Sequence, residues 1–398
     1  MDCRQRWRVR CYGVPPLPAT AHRALEVEEP WRTAPMVVAQ RRLWWLVPSR
    51  RAILQVLVAG ALTLVGLGLA LPLGSGAQQP AVVPGAPLAC LGETRSLILS
   101  SGMPYTPVRL QGRTGFFVVD LGADGSAISP TTFLPGPASA PRPMAGSVDH
   151  FEGLEFFGPW GPVRLSVQAH SGIQGPIPQA GLIGTDLLQG HVVTLDYARG
   201  LLHRAERESF CSEAALRQAG FAPLSTSDYY GTAGAPLRCP AAPRRSGCPN
   251  IPTVPVRIGP SLAVAQIDTG YDDGRHAPSV NVNRAWLAAL VAAGVKPQRM
   301  PEADLSLSTC AGVAEPVWAY RLPEGLALEL VGSDGRAVRR LEGVTLFLKD
   351  TPAAAGRCGG IGTWRQPAAQ LGASVVNGGT LVVDPFAQRV WFRFGEPR

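Results

Sequence analysis

Two aspartates, Asp120 and Asp268, each end an apolar run and each stand two residues before a glycine: Val118-Val119-Asp120-Leu121-Gly122 and Gln266-Ile267-Asp268-Thr269-Gly270. One carboxyl per half of the chain, each at the end of an apolar strand, makes a shared pair the natural candidate for a catalytic site. Two carboxylates held a few ångströms apart cannot both ionise cheaply, so they share a proton and titrate as a coupled pair. The ionised member is able to take a proton from a water between them while the protonated member polarises a peptide carbonyl. Such chemistry hydrolyses an amide with no metal, no cofactor and no covalent intermediate. Taken singly, either Asp reads as a turn residue bonded to its own backbone; two in matching flanks call for more than that.

The flanks do match. Pro107, Val108, Arg109 and Leu110 precede Phe117 to Gly122 at the same spacing as Pro255, Val256, Arg257 and Ile258 precede Ala265 to Gly270. Further on, residues 184–196 align without gaps with 372–384, and each run passes through a short turn into a terminal strand, Leu201-Leu202-His203-Arg204 and Val390-Trp391-Phe392-Arg393. A period this long is not that of a solenoid, so the repeat describes two similar lobes. Glycine after each Asp turn, at Gly122 and Gly270, lets two loops approach with no Cβ between them.

These residues resemble the retropepsin-like and pepsin-like aspartic peptidases. Asp120-Leu121-Gly122-Ala123-Asp124 resembles the Asp-Thr-Gly-Ala-Asp signature of retropepsins, and Leu182-Ile183-Gly184 resembles their later apolar-apolar-Gly element. The likeness spans residues 98–393. It implies a duplicated, mostly β, bilobal acid-protease fold with two pseudo-symmetric β-barrel-like lobes, each giving one catalytic Asp, Asp120 and Asp268, to a cleft in which a peptide lies. It also implies that Thr269 braces the pair by a hydrogen bond to the opposite loop, and that Asp124 and Asp272 hold the substrate main chain. A solvated turn carboxylate is the other reading of Asp124 and Asp272.

Leu121 departs from the pattern, because it has no hydroxyl to return the brace that Thr269 offers. One lost reciprocal bond at a buried loop costs on the order of 1–3 kcal/mol, which a fold of this size tolerates. Thr185 replaces the Arg that often follows the later glycine in retropepsins, and Gln370-Leu371-Gly372 offers one apolar residue where the first lobe offers two. The function expected is aspartic-type endopeptidase; the alternative is a catalytically inactive peptide-binding or envelope scaffold on the same fold.

Charge and export fit an enzyme working outside the cytoplasm. The net charge of +8 invites a nucleic-acid reading, yet the first 77 residues hold 10 Arg against 4 acidic residues, while the rest holds 27 basic against 25 acidic. A balanced body leaves no electrostatic footprint for nucleic acid. The basic leader, residues 1–51, precedes an uncharged apolar segment at 52–73, long enough to span a bilayer and oriented with its start in the cytoplasm. Ser75-Gly76-Ala77 resembles a small-residue cleavage site, so the segment is either a membrane anchor or a signal helix cut near Ala77, and Met36 is a second candidate start. Nearly all basic residues are Arg, and Ala, Gly and Pro are abundant, a pattern of GC-rich bacterial coding; a periplasmic monomer acting on peptide or protein substrates is expected.

Six of the cysteines, Cys90, Cys211, Cys239, Cys248, Cys310 and Cys358, fall in the exported part and none has zinc spacing, so disulfides are expected. Cys239 with Cys248 would close a short loop. No phosphate loop, dinucleotide motif or Gly-x-Ser-x-Gly elbow is present. Strands rich in Val, Leu, Ile and Phe dominate, and helices are predicted at 213–218, stopped by Gly220, and at 284–293, with Asn283 as N-cap and Gly294 as the stop. Phe151, Phe156, Phe157 and Trp160 stand where an aspartic peptidase carries its flap, with ordinary strand packing as the other reading. The expected layout is leader 1–51, apolar helix 52–73, spacer 74–87, lobe one 88–205, a helix and Cys/Pro-rich linker 206–250, and lobe two 251–398.

Overall fold

The structure is a computed structural model that describes residues 88–133, 147–168, 177–188, 190–226, 229–230, 236–237, 251–272, 275–308, 313–358 and 360–394. All that follows concerns the unit Val82–Arg398. The leader, the apolar segment at 52–73, the cleavage site near Ala77 and Cys239, Cys248 and Cys310 lie outside the described residues. Among the described residues no helix is long and apolar enough to cross a membrane.

The fold is mostly β. An eight-stranded sheet is drawn wholly from Ile98–Ser100 to Gln179–Ile183, and a ten-stranded sheet wholly from Thr253–Ile258 to Ala368–Leu371. Alternation writes these strands: Val163–Val167 reads buried, exposed, buried, half-buried, buried, the period of two that turns one face inward. In each sheet the hairpin that precedes the Asp runs on into a parallel pairing. Arg113–Val119 pairs with Gln179–Ile183 so that Val119 faces Ile183, and Ser261–Ile267 pairs with Ala368–Leu371 so that Ile267 faces Leu371. The sequence repeat is therefore a structural repeat in the same register.

A third sheet of six strands joins the halves. Its centre is the antiparallel pair Val192–Asp196 and Gly379–Asp384, the repeated segments themselves, with Leu195 opposite Leu381. One continuous apolar core runs through all three sheets, from Val108 and Phe117 through Leu195 and Leu381 to Val256 and Trp286.

Neither large sheet closes into a barrel, which corrects the barrel-like lobes expected from the resemblance. The end strands Ile98–Ser100 and Val148–Phe151 of one sheet, and Gln298–Arg299 and Ala337–Glu342 of the other, do not pair with each other. Closure needs a continuous stagger of register around the sheet; here Gln298–Arg299 is two residues long. Ala337–Glu342 carries Arg339, Arg340 and Glu342, charges that suit an open edge.

The predicted helices form. Glu213–Gln218 is capped by Ser212, whose hydroxyl accepts from Ala215 N at 3.2 Å, and Gly220 follows it at φ +83°. Arg284–Ala292 ends one residue earlier than predicted, with Asn283 accepting from Trp286 N at 2.9 Å and Gly294 at φ +83°. The aromatic run proves to be core packing. Phe151, Phe156 and Phe157 are buried, and the Trp160 indole donates to Phe156 O at 2.7 Å.

Candidate active site

Each Asp leaves its strand in the same way. Asp120 N donates to Ile183 O at 2.9 Å, and Asp268 N donates to Leu371 O at 2.9 Å. Three residues beyond Asp120 and Asp268, the carbonyls of Ala123 and Tyr271 accept from Thr185 N and Ala373 N, at 2.9 and 2.7 Å. Each turn is thus pinned at both ends to the later repeat of its own half. Each glycine amide then donates to the Asp two residues before it, Gly122 N to Asp120 Oδ1 at 2.8 Å and Gly270 N to Asp268 Oδ1 at 3.1 Å.

The two turns meet. A Cβ added to Gly122 would collide with the carboxyl of Asp268, and one added to Gly270 would collide with the carboxyl of Asp120. The glycines are required here because each backbone lies against the opposite carboxyl, not because of a positive φ. Thr269 completes the junction: its hydroxyl donates to Val119 O at 2.6 Å and accepts from Leu121 N at 3.0 Å. Leu121, at the equivalent place on the other turn, sends its side chain into the core, where it is 1% exposed.

Burial pushes both carboxyls upward. Asp120 is raised first by desolvation, then by the negative charge of Asp268 and by the hydrogen bond it makes to Asp268. Asp268 is raised by desolvation but is held back by that same bond, by Lys349, by Gly270 N and by Gln370. Asp120 nevertheless keeps a partly exposed surface, whereas Asp268 is buried. The arrangement can hold one proton between two carboxyls and present it to a molecule arriving from the Asp120 side.

Asp124 and Asp272 fall in different settings. Asp124 is exposed at its surface but lies beside Asp186, and desolvation raises both. Asp186 accepts from Ser126 Oγ at 2.7 Å, and Ser126 Oγ accepts from Gly184 N at 2.9 Å, so a Ser and an Asp tie this turn. Asp272 reaches the first half, where its carboxyl lies against Gly102. Tyr197, buried at the end of the central strand, has its hydroxyl held far above its ordinary value by burial and by the nearby charges of Asp272, Asp120 and Asp268.

Sequence reasoning passed over Gln370 and Asn281. Gln370 Nε2 donates to Asp268 Oδ2, and Asn281 Nδ2 donates to Gln370 Oε1 at 2.8 Å. The signal was present, since Gln370 is the polar residue that interrupts the later apolar element of the second half. Among the described residues no three His, Cys, Asp or Glu side chains are grouped to hold a metal ion.

No protein-family model matches the chain, and no curated protein matches it. Solved structures similar to it include conglutin gamma, a basic 7S globulin from lupine seeds, at 11% identity and a TM-score of 0.39 over 76% of this chain and 95% of that one. A second is basic 7S globulin from soybean, at 12% identity and a TM-score of 0.36 over 75% of this chain and 94% of that one. Likenesses of this size leave the reading of the site to its own geometry.

Proposed function

We propose that the chain is an aspartic-type endopeptidase of two lobes, hydrolysing peptide bonds with water activated between Asp120 and Asp268. The observation that carries this reading is the mutual packing of the two turns, in which each glycine lies against the opposite carboxyl. A pair that binds one proton has the two roles amide hydrolysis needs. The ionised carboxylate takes a proton from water as its oxygen bonds to the carbonyl carbon, and the protonated partner gives its proton to the carbonyl oxygen. In the second half the first carboxyl returns its proton to the amide nitrogen, the C–N bond breaks, and the partner recovers a proton from the diol. Asp124 and Asp272 are proposed to hold the substrate main chain. The proposed setting is the bacterial periplasm, with residues 52–73 as anchor or cleaved signal helix.

A second reading is a peptide-binding scaffold that keeps the cleft without the chemistry. Leu121 favours it, because the brace between the turns runs through Thr269 while the equivalent Leu121 side chain is in the core. The two solved structures reported above are named as globulins, and their likeness to this chain carries no argument for either reading.

Cleavage of a mixed peptide library by the full-length protein between pH 3 and pH 7 separates the readings. Under the proposal Asp120→Asn and Asp268→Asn each lower turnover by about 10²–10⁴-fold. Cleavage that survives either substitution removes the paired mechanism, and binding without cleavage by the unaltered protein supports the scaffold.

A further inference from the structure

The two halves share their backbone hydrogen bonds around the pair but not their side chains. Val119 faces Ile183 as Ile267 faces Leu371, so Leu182 in the first half corresponds to Gln370 in the second. The neighbouring strand follows suit: Ala127 pairs with Leu182, and Asn281 pairs with Gln370. Thus an Ala–Leu pair lies behind Asp120 where an Asn–Gln pair lies behind Asp268. Thr269 is likewise on the second turn and Leu121 on the first. The pseudo-symmetric frame is polar on one side and apolar on the other.

We infer that Gln370, held by Asn281, is a positioning residue that sets which member of the pair is charged: it donates to Asp268 and keeps that carboxylate ionised, leaving the shared proton on Asp120. An amide offers either its N–H or its oxygen, so orientation decides the sign. Asn281, 1% exposed, donates to Gln370 Oε1 and occupies the oxygen end, which turns Nε2 toward Asp268 Oδ2. A carboxylate that accepts a buried N–H is favoured in its charged form. The first half offers Asp120 no such donor from Leu182. In the peptidase reading, on which this consequence rests, Asp268 is the base toward water and Asp120 the acid toward the carbonyl oxygen, the acid being the partly exposed member.

Other groups also face the pair. Lys349, at the end of Thr345–Lys349, attracts charge onto Asp268 from a distance while it pairs with Glu315 at 3.8 Å. Tyr197 faces both carboxyls and Asp272. Because Gln370 makes a direct bond, its removal is expected to move Asp268 more than the loss of the Lys349 charge does.

The test reads carboxyl titration directly, so that it does not depend on turnover. Full-length protein with carbon-13 in the Asp carboxyls is titrated from pH 2 to pH 9, with Asp120→Asn and Asp268→Asn used to assign the two signals. The lower step is expected to belong to Asp268. Gln370→Met, which keeps the length of the side chain and removes the donor, is expected to raise that step by on the order of one pH unit. Asn281→Ala is expected to raise it by less, and Lys349→Met by less than Gln370→Met. If Gln370→Met does not fold, Asn281→Ala carries the test alone. A lower step that stays in place or falls in the variants, or that belongs to Asp120, overturns the inference. In the same samples the acid limb of any peptide cleavage should move with the step. Titration as described without cleavage sinks the peptidase reading and leaves the charge assignment standing; cleavage with an unmoved step does the reverse.

Discussion

Thr269 accepts the backbone N–H of Leu121 on its hydroxyl oxygen at 3.0 Å, and its hydroxyl proton goes to Val119 O at 2.6 Å. One side chain therefore satisfies a donor and an acceptor on a turn about 150 residues away. Thr269→Val keeps the shape but orphans both groups. A stability loss of about 1–3 kcal/mol is expected, with Thr269→Ser close to the parent, measured by urea unfolding. Equal stability of Thr269→Val and the parent would show that the turns do not depend on this bond.

Gly122 and Gly270 should tolerate no side chain, for a reason that differs from the usual need for a positive φ. In Gly122→Ala the new methyl meets the carboxyl of Asp268, and in Gly270→Ala that of Asp120. The turns must part to admit it. A displacement near one ångström in a reacting geometry costs about 10²-fold in rate, so cleavage should fall by that much while the fold survives. Gly161→Ala, where a Cβ meets nothing within 4 Å and the backbone is not left-handed, serves as the control for a change of backbone freedom alone. Alanine at both turns with unchanged turnover would contradict the packing described.

Much of this site was legible because it rests on repetition. Asp120 and Asp268, their glycines and the strands that lead to them are written twice at equal spacing, and Asn283 announces its helix by chemistry local to four residues. Gln370 was seen as a departure from the apolar pattern, but its partner Asp268 is 102 residues away, and no local rule connects them. The core position of Leu121 and the open sheet edges belong to the same class, since tertiary neighbours decide whether a departure is a defect or a contact. Phe156 and Phe157 illustrate the opposite hazard: aromatic residues between two motifs suit a flap or a core equally, and burial decides for the core.

Stability should depend on pH through Asp120. Burial first, and then the charge of Asp268, raise its carboxyl well above the ordinary value of 3.8. A carboxyl raised in the folded state binds its proton more tightly there than in the unfolded chain. Its contribution is therefore fully present below the ordinary value and is lost as pH climbs through the folded one. Asp120→Asn removes a group that is costly to ionise, so its Tm should exceed that of the parent at pH 7, with the gap narrowing toward pH 4. Calorimetry at both pH values checks this; a gap that widens on acidification would reverse the assigned cause.

Cys90 and Cys211 form a disulfide across 121 residues, and the sequence left their pairing open. Cys90 lies in the short turn Ala89–Leu91, just before the edge strand Glu93–Ser96 of the joining sheet, and Cys211 lies just before the helix Glu213–Gln218. Leu91, Val192, Leu216, Phe221 and Trp391 pack with Cys211 into a small cluster of their own. The bond thus fastens the beginning of the described chain to the connection between the halves. Closing a loop this long removes much freedom from the unfolded chain, and its loss typically costs about 2–5 kcal/mol. Cys90→Ala with Cys211→Ala should lower the urea midpoint accordingly and leave the pH profile of cleavage in place, because the turns of Asp120 and Asp268 are pinned by Ile183 and Leu371 rather than by this bond. A double variant of unchanged stability would mean that the apolar cluster alone holds the two segments together.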